Sequence, residues 1–212
     1  MLIEVWSDVV CPYCYLGLAQ LESALEKFEH AEEVTVVPRA FELDPRMSRA
    51  GDLSARELVA TKYGLSFDQV DLNHRRLGDS VAEFGLEWNV DDARPTNTFD
   101  AHRLIALARR TNQALEATKR LHLAYFANGD LVSDIDTLVA LGTELNLPDV
   151  ELLRDPTIGA AEVRGDEERA HSLGLRGVPA FLFNERYVVS GAQGADGLLG
   201  ALQQVYELSV AS

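Results

Sequence analysis

The chain has 212 residues, with 34 Asp and Glu against 19 Lys and Arg, for a formal net charge of −15. Hydrophobic residues make up 47% and charged residues 25%, the balance of a soluble globular protein, and the length suits one large domain or a smaller one carrying an insertion. The acidic surplus speaks against nucleic acid or an anionic membrane as partner, because phosphate contacts need a basic surface, and no window approaches the ~20 consecutive apolar residues of a membrane span.

Leu2 to Trp6 is a short run of apolar, β-branched and aromatic residues that predicts a first strand. Met1 to Val10 carries no basic leader, and Glu4 and Asp8 interrupt its apolar run, so a cytoplasmic location is expected. The chain's two cysteines, Cys11 and Cys14, follow at once. A two-residue gap staples little, so no structural disulfide framework exists. Tyr15 to Phe28 has helical spacing at Leu18, Leu21, Leu25 and Phe28, and Val34 to Phe41 predicts a second strand. Strand, helix and strand so closely joined imply a parallel pair with a right-handed crossover.

From Ser54 to Leu173 one helical pattern succeeds another. Ser54 ahead of Glu57, Ser66 ahead of Gln69 and Ser133 ahead of Asp136 are candidate caps. Apolar stripes run through Leu104, Leu107 and Ala108, through Leu121, Tyr125 and Phe126, and through Leu138, Leu141 and Leu145, all expected to be helix core. Gly129 and Gly174 sit where helices should stop. Val178 to Phe183 and Tyr187 to Ser190 then predict two strands around an Asn184-Glu185-Arg186 turn, and Leu198 to Leu208 a closing helix. The pattern is α/β: one sheet domain assembled from residues 1–50 and 174–212, interrupted by an all-helical insertion over 51–173.

The cysteine pair lies at the junction of the first strand and first helix. As half of a zinc site it lacks partners, since a structural zinc takes about four ligands and the histidines at 30, 74, 102, 122 and 171 show no H-x(3–5)-H pairing. Two inert buried cysteines fit poorly around a Pro at a helix start. A redox pair fits well. Cys11 at the helix N-terminus meets unpaired N–H groups and the positive end of the dipole, which favour a thiolate. Pro12 suits the first helical position, where its missing N–H costs nothing. Cys14, one turn along and more buried, is placed to resolve a mixed disulfide. Far along the chain, Gly174-Leu175-Arg176-Gly177-Val178-Pro179 puts a Pro at a strand start, a place that suits a bend or a cis bond.

Together these segments resemble the thioredoxin superfamily, in which a cis-Pro loop packs against the C-x-x-C. Trp6-Ser7-Asp8-Val9-Val10-Cys11-Pro12-Tyr13-Cys14-Tyr15-Leu16-Gly17 is similar to the start of the DsbA-like family, and most of all to its cytoplasmic FrnE-type branch, with its S-D-x-x-C-P-W-C-Y-x-G pattern. Pro95-Thr96-Asn97-Thr98-Phe99-Asp100-Ala101-His102-Arg103 resembles the same branch. The resemblance implies a thioredoxin fold with a large helical insertion and a thiol–disulfide oxidoreductase that uses Cys11 as nucleophile and Cys14 as resolving thiol. Val178 and Pro179 would shape the docking surface. It implies no metal and no organic cofactor, and protein or small-molecule thiols and disulfides as partners, with glutathione or a protein dithiol supplying electrons. It leaves monomer and homodimer both open.

The chain also departs from its relatives. Tyr13 stands where the periplasmic oxidants have His and many relatives Trp, which weakens the expectation of strongly oxidising character. Thioredoxin-fold enzymes often keep a buried acid on the strand before the motif, able to take a proton from the second cysteine. Glu4 matches that acid if one residue is inserted before Cys11; otherwise it is a solvent-facing strand residue. His102, on the insertion, either faces the cysteines or is a satisfied structural histidine. The kappa-class glutathione transferases and 2-hydroxychromene-2-carboxylate isomerases share this fold and supply the rival activity. They place Ser at the position of Cys11 and carry a Gly-x-Asp stretch where this chain has Gly191-Ala192-Gln193.

Overall fold

The computed structural model describes residues 1–210. Its sheet draws strands from both ends of the chain: β1 (Leu2–Ser7) and β2 (Thr35–Ala40) from the start, β3 (Ala180–Phe183) and β4 (Tyr187–Ser190) from near the end, in the order β2-β1-β3-β4. β1 runs parallel to β2, with Leu2 opposite Thr35, and antiparallel to β3, with Ile3 opposite Phe183. The parallel pair needs a crossover, and α1 (Pro12–Glu26) supplies it. Pro38 is tolerated because β2 is an edge strand. The β3–β4 turn holds Asn184 and Glu185 at φ of 47° and 58°, the pair of positive φ values that matches strand twist in a tight hairpin.

Alternation along β1 divides the sheet into two faces. Ile3 and Val5 pack with Leu21 and Ala24 of α1 and with Leu198 and Leu202 of α8 (Ala195–Val210). Trp6 and Leu182 take the opposite face, under Ala170 of α7 (Ala160–Ser172), and the Trp6 indole N–H donates to the Asp166 carbonyl at 3.0 Å. On that face Asp166 accepts from Arg39, Arg109 and the Ala40 N–H, fastening α7 to β2.

The middle of the chain folds into α2 (Ala55–Tyr63), α3 (Phe67–Ala82), α4 (Phe99–Arg109), α5 (Ala114–Phe126), α6 (Ile135–Glu144) and then α7. Ser54 and Ser66 close capping boxes with Glu57 and Gln69. Ser133 does not cap. Its buried hydroxyl donates to the Arg49 carbonyl and accepts from Thr96, while Asp134 caps α6 by accepting the Thr137 N–H at 2.8 Å. α1 begins at Pro12 with Cys11 as its N-cap, as the motif predicts, but one further boundary differs from expectation: β3 begins at Ala180, after the Val178–Pro179 cis peptide, and not at Val178.

The helical core, with Leu104, Leu121, Phe126 and Leu138 fully buried, also takes in Val9 from the turn before α1 and Tyr15 and Leu16 from its first turns. Tyr15 stacks on Phe126 with centroids 5.2 Å apart, and Phe126 stacks in turn on Trp88 at 5.3 Å. The first turns of α1 are thus held by the helices, and its later turns by the sheet. At their junction Gly17 admits the loop before β3. A Cβ there would lie 2.9 Å from Pro179 Cγ and 3.4 Å from Phe181 Cζ. Gly17→Ala is therefore expected to cost about 1–3 kcal/mol by overpacking, read as a lower urea midpoint at unchanged m-value. An unchanged midpoint would contradict this tight packing.

Candidate active site

Where β1 ends, the chain turns through Asp8 and Val9, and Cys11 becomes the N-cap of α1 in an extended conformation, with Pro12 at the first helical position. The Cys11 N–H donates to the Asp8 carbonyl at 3.1 Å, and the Cys11 carbonyl accepts from Cys14 and Tyr15 at 3.0 and 3.2 Å. This short ladder sets the two thiols one turn apart. Both are free and buried, Cys11 at 4% exposure and Cys14 at 1%. Burial pushes the Cys14 thiol well above its ordinary range, and its hydrogen bond to Cys11 adds to that rise. The Asp8 main chain acts the other way, while the Asp8 charge adds slightly to the rise.

The cysteines differ in access. Cys11 lines a cleft of about 760 Å³ bounded by Tyr13, Val178, Leu58, Tyr63 and Leu77, whereas Cys14 lies behind it. The Cys11 sulfur points at the Val178 carbonyl, 3.8 Å away. Tyr13 stands 57% exposed at the mouth, and Pro12 is half-buried beside it. Cys11, Pro12, Tyr13, Cys14, Val178 and Pro179 thus gather at one end of α1. A second concavity, about 870 Å³, lies on the insertion near the Arg56–Asp71 ion pair and Trp88, and holds no thiol.

Glu4 does not join them. Its carboxylate is buried, not solvent-facing, and it is held by Arg39 at 2.6 Å and by Arg169 of α7 at 2.8 Å. It therefore lies on the α7 face of the sheet, opposite α1, and both oxygens are engaged by guanidinium groups. That placement removes the ground for making Glu4 the proton acceptor of Cys14.

His102 reaches the motif from behind. It is 1% exposed on α4, with Nε2 3.5 Å from Asp8 Oδ1, and neither ring nitrogen has a hydrogen-bond partner. Two residues the sequence reading did not single out complete this pocket. Asp8, 1% exposed, accepts the Leu43 N–H on Oδ2 at 2.7 Å and leaves Oδ1 without a hydrogen bond. His122 of α5 sets Nε2 3.4 Å from the Asp8 carbonyl, and burial pushes its pKa down to about 4. The available signal was an acid inside the apolar run just before the cysteines. Among the described residues no group of three or more His, Cys, Asp or Glu is arranged to hold a metal ion, and no helix is long and apolar enough to cross a membrane.

A family model described as a DSBA-like thioredoxin domain matches residues 2–203. The chain is similar to the crystal structure of a probable DsbA oxidoreductase, SCO1869 from Streptomyces coelicolor, with 36% identity and a TM-score of 0.91, over 98% of this chain and 90% of that one. It is also similar in fold to the cytosolic disulfide reductase DsbM from Pseudomonas aeruginosa, solved with GSH, at 16% identity and a TM-score of 0.66, covering 98% of this chain and all of that one. A 2-hydroxychromene-2-carboxylate isomerase shares the fold at 14% identity and a TM-score of 0.71, over 100% of this chain and 98% of that one.

His122 makes acid stability testable. Its folded value of about 4 lies below the ordinary 6.5, so between these values the unfolded chain binds more protons. Stability contributed by neutral His122 is full above pH 6.5 and declines as pH falls toward 4, by roughly 3 kcal/mol in all. Urea unfolding of His122→Gln should show a shallower loss across this window than the unsubstituted protein. Superimposable acid limbs would contradict the buried, neutral state.

Proposed function

The chain belongs to the DSBA-like thioredoxin domain family, and we propose that within it the protein is a thiol–disulfide oxidoreductase working through Cys11-Pro12-Tyr13-Cys14. The observation that carries this reading is the asymmetry of the two sulfurs: Cys11 opens onto the cleft while Cys14 waits behind it with its proton held by burial. Cys11 thiolate attacks one sulfur of a substrate disulfide, expels the other as thiolate and forms a mixed disulfide. Cys14, once deprotonated, attacks Cys11 Sγ, frees the second substrate thiolate and leaves a Cys11–Cys14 disulfide. Run backwards, the same steps oxidise a substrate dithiol.

The Val178 carbonyl and Tyr13 flank Cys11 and suit the docking of an extended chain or a small disulfide. Residues 51–173 act as the cover of this face and residues 1–50 and 174–212 as its thioredoxin-like base. Thiols and disulfides are the partners, glutathione or a protein dithiol closes the electron cycle, and the work is cytoplasmic. GSH in the P. aeruginosa reductase and that protein's cytosolic description support both statements. The rival, glutathione-dependent isomerisation or transfer, has no use for a buried second thiol one turn behind the first.

Cys14→Ala separates the two. That variant can attack but cannot let go, so expression followed by acid quenching should trap partners in adducts that dithiothreitol dissolves, and Cys11→Ser should trap none, since a hydroxyl is too weakly acidic to replace the thiolate. Insulin reduction should be lost in both variants. An absence of adducts together with glutathione-dependent isomerisation that survives Cys14→Ala would overturn the oxidoreductase reading.

A further inference from the structure

The cleft at Cys11 does not share the charge of the protein around it. Acids outnumber bases 34 to 19, and most Arg and Lys side chains are tied to carboxylates. Arg46, Lys62, Arg75, Arg76 and Arg176 stand apart: among the described residues their side chains make no hydrogen bond, ion pair or ring contact. All but Arg75 gather in one place. Lys62 and Arg76 line the cleft, Arg46 lies between the lining residues Asp44 and Met47, and Arg176 directly precedes the lining Gly177. The lining acids do not cancel them. Asp8 is buried and turns Oδ2 to the Leu43 N–H, and Asp44 accepts the Arg46 N–H. His74, which lines both concavities, is held toward its neutral form by burial. A chain of net charge −15 thus carries a positive rim at its reactive thiol.

Helix geometry puts these cations among apolar side chains. Asn73, Arg76, Leu77 and Ser80 recur at i, i+3, i+4 and i+7 and form one face of α3, while Leu58, Val59, Lys62 and Tyr63 share one side of α2. Arg76 has Asp79 three residues on, the spacing of a helical ion pair, yet forms none, and Asp79 lines the other concavity. Lys62 in the last turn of α2 suits the helix dipole, which accounts for its sign but not for its place in the cleft wall. Apolar surface is left uncovered at the same spot: Tyr63 is 65% exposed, Tyr13 57% and Leu43 40%. Of the nine residues of α2 only Ala55 is buried, so the core does not account for the side chains that α2 shows to the cleft.

We infer, resting on the oxidoreductase reading above, that the substrate is a low-molecular-weight disulfide with an apolar body and an anionic group, and that Lys62 and Arg76 select it. The cleft, about 760 Å³, falls within the range of small-molecule sites, which pair apolar walls with a few placed polar groups. Leu16, Leu58, Val59 and Leu77 would cover the body, and the cations of α2 and α3 would hold the anion. Glutathione, polar along its whole length, leaves those walls unused. Cys11 thiolate attacks the nearer sulfur, the substrate S–S bond breaks, and one half stays on Cys11 as a mixed disulfide while the other departs as thiolate.

Two aromatic disulfides of similar body and different charge test this. In 5,5′-dithiobis(2-nitrobenzoate) each ring carries a carboxylate, whereas 4,4′-dithiodipyridine is uncharged at neutral pH. Each releases a chromophoric thiol when Cys11 attacks, and dividing each rate by that of free 2-mercaptoethanol removes intrinsic reactivity. The unsubstituted protein should favour the dianion at low ionic strength. The double variant Lys62→Gln, Arg76→Gln should lower that preference at least about threefold, within the range for two exposed charge contacts. A change in Cys11 reactivity alone would move both rates together and leave their ratio. Added salt should lower the ratio in the unsubstituted protein and not in the double variant. Arg75→Gln, on α3 but off the cleft, should leave the ratio as it was, and Arg76→Lys should retain it. A ratio unchanged in the double variant, or lowered equally by Arg75→Gln, overturns the proposal. So does a normalised rate for an acidic peptide disulfide that exceeds that of the aromatic dianion. The oxidoreductase reading fails differently: each reagent would then release a single thiol per chain, because Cys14 leaves the adduct unresolved.

Discussion

The helix that starts at the cysteines is gripped from two directions, and the geometry of the site depends on that grip. The ladder through Asp8, Cys11 and Cys14 fixes the spacing of the sulfurs, but a helix end frays unless tertiary contacts hold it. Here Tyr15 is stacked into the helical core against Phe126, while Leu21 and Ala24, two turns on, belong to the core between the sheet and α8. The insertion is thus a structural part of the site as well as its cover, and the bare Cα of Gly17 lets the Pro179 loop close against the same turns.

A second contrast concerns where the charge is buried. A buried carboxylate is tolerable when paired and hydrogen-bonded, and costly when it is not. On the α7 face the rule is obeyed in full: Glu4 and Asp166 share Arg39, Arg109 and Arg169, which tie the strand, the edge of the sheet and two helices together. On the cysteine side it is broken. Asp8 has one main-chain donor and a histidine at ion-pair distance. One acid cluster holds the sheet to the helices; the other, Asp8 with His102, sits buried behind the cysteines.

Much of this was legible in the sequence, for identifiable reasons. β-branched runs and helical spacing are local signals, so the strands at both ends and the helical middle could be placed without a structure, as could the paired Ser–Glu and Ser–Gln caps of α2 and α3. Boundaries slipped where two local rules competed: Ser133 and Asp134 both qualify as caps, and the side chain one residue closer to the helix takes the role. Cys11 and Cys14 stand out by their two-residue spacing, whereas the approach of the Val178–Pro179 loop to them was expected only from the resemblance to thioredoxin-fold proteins. The orientation of Glu4 and the pocket around Asp8 were not legible. Which face a strand residue takes depends on the pleat register, and His102 and His122 meet Asp8 only after some ninety or more residues of chain have folded back over α1.

The central claim is that Cys11 and Cys14 form one reversible redox couple. Equilibrating the purified protein in glutathione buffers of stepped oxidised-to-reduced ratio, quenching in acid, and weighing the intact chain tests it most directly. The account predicts a single two-electron transition in which the mass falls by two hydrogens and both thiols leave the alkylatable pool together. A chain that stays a dithiol at every ratio, or that accumulates glutathione on Cys11 with Cys14 still free, would contradict it.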